Sequence, residues 1–130
     1  MKEILIEEAK KAMQNAYVPY SNFMVGAAVL MKSGKIYTGA NIENSSYGAT
    51  VCAERVAIFK AISEGETEIK EIAVVTETET PSSPCGICRQ VIAEFCDDAI
   101  IFLANTNGNV IETSLKELLP VAFTKKNLRK

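Results

Sequence analysis

The chain is 130 residues long, which suits one domain spanning 1–130 with a single sizeable core. With 48% hydrophobic and 23% charged residues it reads as globular, and its longest apolar runs, "VGAAVLM" and "AIIFLA", fall far short of the roughly 18 residues a membrane span needs, so no membrane partner is expected. A net charge of −2, with basic clustering confined to the tail "KKNLRK", a solvated end, argues against a nucleic-acid-binding surface.

The N-terminal "MKEILIEEAKKAM" interleaves charges with apolar residues, which excludes a signal peptide and points to a cytoplasmic protein. Leu5, Ala9, Ala12, Met13 and Ala16 form a helical stripe over 2–17. "VPYSN" breaks it. Residues 24–31 are an apolar, strand-like run, joined through the turn "KSGK" to "IYTGAN" in a predicted hairpin. Residues 42–50 carry no clear period. "VCAERVAIFKAISEG" predicts a helix from 51 to 64, terminated by Gly65. A buried strand, "IAVVT", is expected at 72–76, then a loop through "ETETPSSP", a helix over 85–96 and a strand over 99–104. "NTNGN" is too short for a crossover, so the next strand, 109–113, is expected to run antiparallel. Ser114 and Glu117 suit a capping box that opens a short last helix, ended by Pro120. The order α-β-β-α-β-α-β-β-α places the chain in the α/β class, with a mixed five-stranded sheet covered by helices.

The sequence has four cysteines, Cys52, Cys85, Cys88 and Cys96, and no histidine. Acid–base chemistry near neutral pH therefore falls to a carboxylate, a thiol, a lysine or water. The pair in "SPCGICRQ" is compatible with a redox dithiol, half of a metal site, or no chemistry at all. Cys52 also opens a predicted helix after a loop. Two strand-loop-helix units place their helix N-termini at one end of the sheet, where open α/β sheets bind ligands. Three cysteines can converge there, facing amides that stabilise thiolates. Cys96 lies eight residues beyond Cys88 on the same predicted helix, roughly 12 Å along its axis. A metal with bonds of about 2.3 Å to sulfur cannot span that, and three ligands with an open position suit a catalytic zinc. Glu54, two residues after Cys52, is the candidate proton carrier. Its plain alternative is a helix-start glutamate favoured by the macrodipole.

"CAE" followed by "PCGIC" matches the signature of the zinc-dependent nucleoside and nucleobase deaminases, with Cys52 at the position of the usual first histidine. "PYSNFMVGAA", "NIENSSYG", "CAERVAIFKAISEG", "SPCGICRQV" and "ELLPVAF" together resemble the small homotetrameric cytidine deaminases from near residue 15 to about 124. The resemblance implies a three-layer α/β/α sandwich and one Zn2+ per chain on Cys52, Cys85 and Cys88. It implies Glu54 as the proton shuttle, carrying a proton from water to N3 of cytosine while oxygen adds at C4 and ammonia leaves. Cytidine or 2′-deoxycytidine would become uridine or 2′-deoxyuridine. Three thiolates on a dication leave a charge of −1, and Arg55, then Arg89, are the candidates to offset it. Asn41 and Glu43 in "NIEN" would bind the sugar 3′-hydroxyl. Phe23 and Phe123 would pack around the nucleoside, Phe123 from a neighbouring subunit, and Tyr47 would reach a neighbour's site. The stretch "SSYGATVC" departs from the loop that many relatives carry there.

Competing readings remain in view. A deaminase of a cytosine-containing nucleoside analogue such as blasticidin S shares the fold, though "NIEN" argues for an ordinary ribose. A nucleic-acid-editing deaminase would need basic, aromatic-rich segments. A non-catalytic zinc module would need a fourth ligand, and a redox dithiol protein would bind no metal.

Overall fold

The computed structural model describes residues 1–128. Arg129 and Lys130, the end of the basic tail, lie outside the described residues. The elements are α1 (Lys2–Met13), β1 (Val25–Met31), β2 (Ile36–Ala40), a 3-10 turn (Tyr47–Ala49), α2 (Ala53–Ser63), β3 (Ile69–Thr76), α3 (Gly86–Glu94), β4 (Ile100–Asn105), β5 (Val110–Ser114), α4 (Leu115–Leu118) and α5 (Lys125–Leu128). No described helix is long and apolar enough to cross a membrane.

The five strands form one mixed sheet in the order β2-β1-β3-β4-β5. Only β3 and β4 are parallel; β4 and β5 pair antiparallel, as the short "NTNGN" connection requires. β1 runs antiparallel to both β2 and β3. β2 and β3 therefore point the same way across β1, and their C-terminal ends open on one edge of the sheet. The chain leaves Ala40 for α2 and Thr76 for α3 from that edge, so both helix N-termini start there.

Helices cover both faces, giving the expected three layers. Leu5, Ala9 and Met13 of α1 pack on Ala28, Leu30, Ala73, Val75 and Phe102. On the other face, Ala53, Ala57, Ile58 and Ala61 of α2 and Ile92 of α3 pack on Val29, Ile72, Val74, Ile101 and Leu103. β1 and β3 are buried on both faces, which is why they read as unbroken apolar runs.

The contact of α2 with the sheet is at backbone distance. A Cβ added to Gly39 of β2 would lie 2.6 Å from the Ala57 nitrogen and 2.7 Å from the Ala53 carbonyl oxygen. Only a glycine lets the first turns of α2, which follow Cys52, sit this low. At its other end, α2 closes in a Schellman motif. The Gly65 N–H bonds the Ile62 carbonyl and the Glu66 N–H bonds the Ala61 carbonyl, with Gly65 at φ +97.

Several boundaries differ from the sequence pattern. β3 begins at Ile69, because Lys70 and Glu71 take alternating positions that the apolar run at 72–76 does not reveal. α3 ends at Glu94 with Phe95 as its C-cap, so Cys96 lies beyond the helix rather than on it. Ser114 caps α4 by accepting the Glu117 N–H at 3.2 Å, but the Glu117 carboxylate accepts from the Thr113 hydroxyl, leaving the capping box half formed. The structure also adds a second short helix, α5.

Candidate active site

Cys52 and Cys85 are the N-cap residues of α2 and α3, with extended backbone and no side-chain capping bond. Their sulfurs are therefore left for other work. Cys88 follows in the first turn of α3 and is fully buried. The three Sγ atoms lie within 4.8 Å of one another. Cys52 Sγ is 3.8 Å from Cys85 Sγ, which is 3.5 Å from Cys88 Sγ. A disulfide would bring two sulfurs to about 2.05 Å, so these are free thiols. Sulfurs each about 2.3 Å from one tetrahedral centre stand about 3.8 Å apart, and the observed spacing meets that requirement. Soft donors at this separation fit zinc.

The electrostatics favour an anionic sulfur at Cys52. The Cys52 thiol is pulled well below its ordinary range, first by a hydrogen bond from Cys88 and then by those from Arg55 and Cys85, against a burial effect. Cys88 is pushed upward as the donor in that shared bond and by its burial. Arg55, one turn along α2, donates from Nη2 to Cys52 Sγ at 3.5 Å. Its Nε is buried and has no hydrogen-bond partner, so the guanidinium charge is directed at the sulfur cluster rather than dispersed over the chain. Cys96 does not join the cluster. Its thiol donates to the Ile92 carbonyl at 3.2 Å, and burial raises its pKa to about 12.

Beside the cluster lies a cavity of about 220 Å³. Cys52, Cys85, Glu54, Phe23 and Asn41 line it together with Val25, Ala53, Val74, Thr76, Ser82 and Ser83. Glu54 is only 4% exposed. Its burial pushes the carboxyl up to about 7, with the Cys52 charge adding to the effect and Arg55 opposing it. A larger cavity of about 640 Å³ lies between the end of α3 and residues 115–126, but neither the cysteine triad nor Glu54 lines it. The smaller one is lined by Cys52, Cys85 and Glu54.

The remaining expected residues fall into two groups. Asn41 lines the cavity, and its amide also braces the chain: Oδ1 accepts from the Val25 N–H at 2.9 Å and Nδ2 donates to the Phe23 carbonyl at 2.8 Å. Glu43 holds the 20–21 turn, accepting the N–H groups of Tyr20 at 3.0 Å and Ser21 at 3.1 Å as well as the Ser21 hydroxyl. The hydroxyl of Ser21 is the main reason the Glu43 carboxyl sits below its ordinary range. Arg89 directs its guanidinium to the Pro84 carbonyl, the Leu118 carbonyl and the Ser83 hydroxyl, each at 2.9 Å. It pins the loop before Cys85, and thiol contact is left to Arg55. Tyr47, 73% exposed, meets Tyr20 edge to face with ring centroids 5.7 Å apart. Phe123, 61% exposed, is held by a hydrogen bond from the Gln90 side chain to its carbonyl. Neither of these two aromatics lines the cavity of its own chain.

Thr76, Ser82 and Ser83 did not emerge from the sequence as wall residues. The one available signal was Thr76, a polar side chain ending the apolar run "IAVVT".

Residues 1–104 match the family model described as "Cytidine and deoxycytidylate deaminase zinc-binding region". The chain is 57% identical over 127 residues to the cytidine deaminase of Sporosarcina psychrophila, covering 97% of this chain and 93% of that protein. It is 54% identical over 128 residues to the cytidine deaminase of Halalkalibacterium halodurans, covering 98% and 97%. The crystal structure of cytidine deaminase from Burkholderia pseudomallei superposes with a TM-score of 0.91 at 48% identity, covering 95% of this chain and 99% of that one.

Proposed function

The chain belongs to the cytidine and deoxycytidylate deaminase zinc-binding family, and from that premise we infer that it hydrolyses cytidine and 2′-deoxycytidine to uridine and 2′-deoxyuridine with release of ammonia. One observation carries the reading: of three convergent thiols, Cys52 and Cys85 line the same cavity as the buried carboxylate of Glu54.

Cys52, Cys85 and Cys88 hold zinc, one ion per chain. When bound, the metal supplies Lewis-acid activation of water. Glu54 accepts a proton from the attacking water and delivers it to N3 of the base. Oxygen adds at C4. Glu54 then takes the second proton from that oxygen and passes it to the departing amino group as the C4 carbonyl forms and the C–N bond breaks, so that water and cytidine balance uridine and ammonia. Burial keeps this carboxylate from exchanging protons freely with bulk water. Arg55 offsets the surplus negative charge of the thiolates, a role supported by its contact with Cys52. Phe23 offers an apolar face to the base, and Asn41 and Glu43 receive the sugar.

The assembly is a homotetramer with shared sites. Supporting this, one chain's cavity of about 220 Å³ is below the roughly 300 Å³ at which ligand sites begin, while Phe123, Val121 and Tyr47 stand exposed. A cytoplasmic location belongs to the same reading and agrees with free cysteines.

The test is to follow the ultraviolet change from cytidine to uridine with zinc content measured in parallel, for the native chain and for Glu54→Gln. The native chain should turn over with about one zinc. Glu54→Gln should retain zinc and bind nucleoside but lose roughly 10²–10⁴-fold in turnover. Turnover without zinc, or near-native turnover in Glu54→Gln, contradicts the assignment.

A further inference from the structure

Two of the cavity-lining residues, Ser82 and Ser83, belong to the loop 77–84, which has neither helical nor strand structure. Asn105 holds this loop from behind. It is the last residue of β4, pairs with Thr76 in the parallel register, and is only 4% exposed. Its amide is used at both ends. Nδ2 donates to the carbonyls of Thr78 at 3.0 Å and Glu79 at 2.8 Å. Oδ1 accepts from the N–H groups of Asn107 at 3.1 Å and Asn109 at 2.9 Å. Two donors on one atom and two acceptor sites on another are what a side-chain amide provides, and each is engaged.

Thr78 carries the grip inward. Its hydroxyl donates its single proton to the Thr80 carbonyl. It must therefore act as acceptor for Thr76 Oγ1 at 2.8 Å and for Ser82 Oγ at 3.5 Å. Thr76 and Ser82 both line the cavity that contains Glu54 and Cys85. Asn105 itself does not line it, and it lies one residue beyond the stretch matched to the family model.

We propose that Asn105 is a positioning residue for the substrate pocket, fixing Thr76 and Ser82 through Thr78 so that the nucleoside meets a preformed wall. The proposal rests on the deaminase reading, since it takes this cavity as the place where the nucleoside binds. A loop without ladder bonds must otherwise be ordered by the substrate, and that cost appears as weaker binding. The Asn105 clamp orders it in advance.

The experiment compares native protein with Asn105→Asp, Thr78→Val and Thr78→Ser, measuring kcat and KM for cytidine per bound zinc and the affinity for uridine by calorimetry. Asn105→Asp keeps the shape but sets oxygens against two carbonyls. Thr78→Val keeps the volume but removes the hydroxyl. Both should raise KM on the order of tenfold and weaken uridine binding in parallel, whereas Thr78→Ser should stay within about twofold of native. A merely structural role would lower the folded fraction and the maximal rate while leaving KM and uridine affinity alone. Native KM and uridine affinity in both Asn105→Asp and Thr78→Val would overturn the proposal. Should Asn105→Asp fail to fold, the Thr78 pair decides, and equal KM values for Val and Ser would overturn it. A native chain that does not deaminate cytidine would instead overturn the deaminase reading.

Discussion

Arg55 reaches back one helical turn to donate to the sulfur of Cys52 at 3.5 Å, while its own Nε remains buried without a partner. A half-buried cation with one buried, unmet donor is held in place by the sulfur cluster beside it. Replacing it leaves that cluster less compensated. Arg55→Gln should lower kcat by roughly ten- to a hundredfold, the scale of one charge-assisted hydrogen bond, with zinc still bound. Arg55→Lys should recover only part of the loss, because an ammonium lacks the planar fork. Native rates in both variants would reduce Arg55 to an ordinary helix residue.

The cysteines should divide three to one. Cys52→Ala, Cys85→Ala and Cys88→Ala should each lose zinc and activity together. Cys96→Ala should keep both at a stability cost of no more than about 1 kcal/mol for one small half-buried group. Metal analysis of the four purified variants reads this directly. Zinc loss from a folded Cys96→Ala protein would break the three-ligand arrangement.

Gly39 gives a test far from the chemistry. Its missing Cβ would sit 2.6 Å from the backbone of Ala57, so Gly39→Ala must lift α2 off the sheet. Overpacking of this kind costs about 1–3 kcal/mol, and the shift moves Cys52 and Glu54 with the helix. Thermal unfolding and kcat should fall together. Gly48→Ala, where an added methyl meets nothing within 4 Å, should change stability by no more than about 0.5 kcal/mol.

The carboxyl of Glu43 lies below its ordinary range chiefly because the Ser21 hydroxyl bonds it. A carboxyl depressed in the folded state stabilises the protein fully above its unfolded value of about 4.3 and loses that contribution as pH falls through the folded value. In Ser21→Ala the Glu43 pKa should rise toward the unfolded value, and the slope of stability against pH below about 4.3 should flatten. Carboxyl titration by NMR measures the first and chemical denaturation the second. An unmoved Glu43 titration would show that backbone amides alone set it.

Shared sites predict complementation. When Glu54→Gln and Phe123→Ala chains are co-assembled, some sites combine an intact Glu54 with a neighbour's intact Phe123. Activity in verified mixed oligomers should exceed the sum of the separate mutants. No gain, or an active monomer by sedimentation, would remove the shared site without touching the thiol cluster.

The parts of the site that lie at helix starts were legible in the sequence, because a cysteine just before an apolar-periodic run can be placed without tertiary information. Cys52, Cys85 and Cys88 are such cases. The exclusion of Cys96 also survives, although Cys96 stands past the end of α3 and not on the helix. Glu54 was different: residues two apart on a helix diverge, and only packing shows that this carboxylate turns into the cavity. The segment 42–50 resisted pattern reading because isolated bridges from Ile42, to Tyr17 and to Val51, anchor it rather than a regular element. Arg89 was misleading for a related reason. Its partners at Ser83, Pro84 and Leu118 include two carbonyls, and a carbonyl's availability leaves no trace in residue type.

Cys52 and Cys85 stand 33 residues apart along the chain, at the starts of successive helices separated by β3. A metal held by both is therefore a cross-link as well as a reagent. In polymer terms it closes a loop through β3 and removes configurations from the unfolded chain, by roughly 3–4 kcal/mol if it acts as a disulfide of that span would. The same atoms that prepare the reaction then staple two helices together. Chelation should thus lower the melting temperature as well as abolish turnover, with the N-terminal turns of α2 and α3 the first to exchange their amide protons.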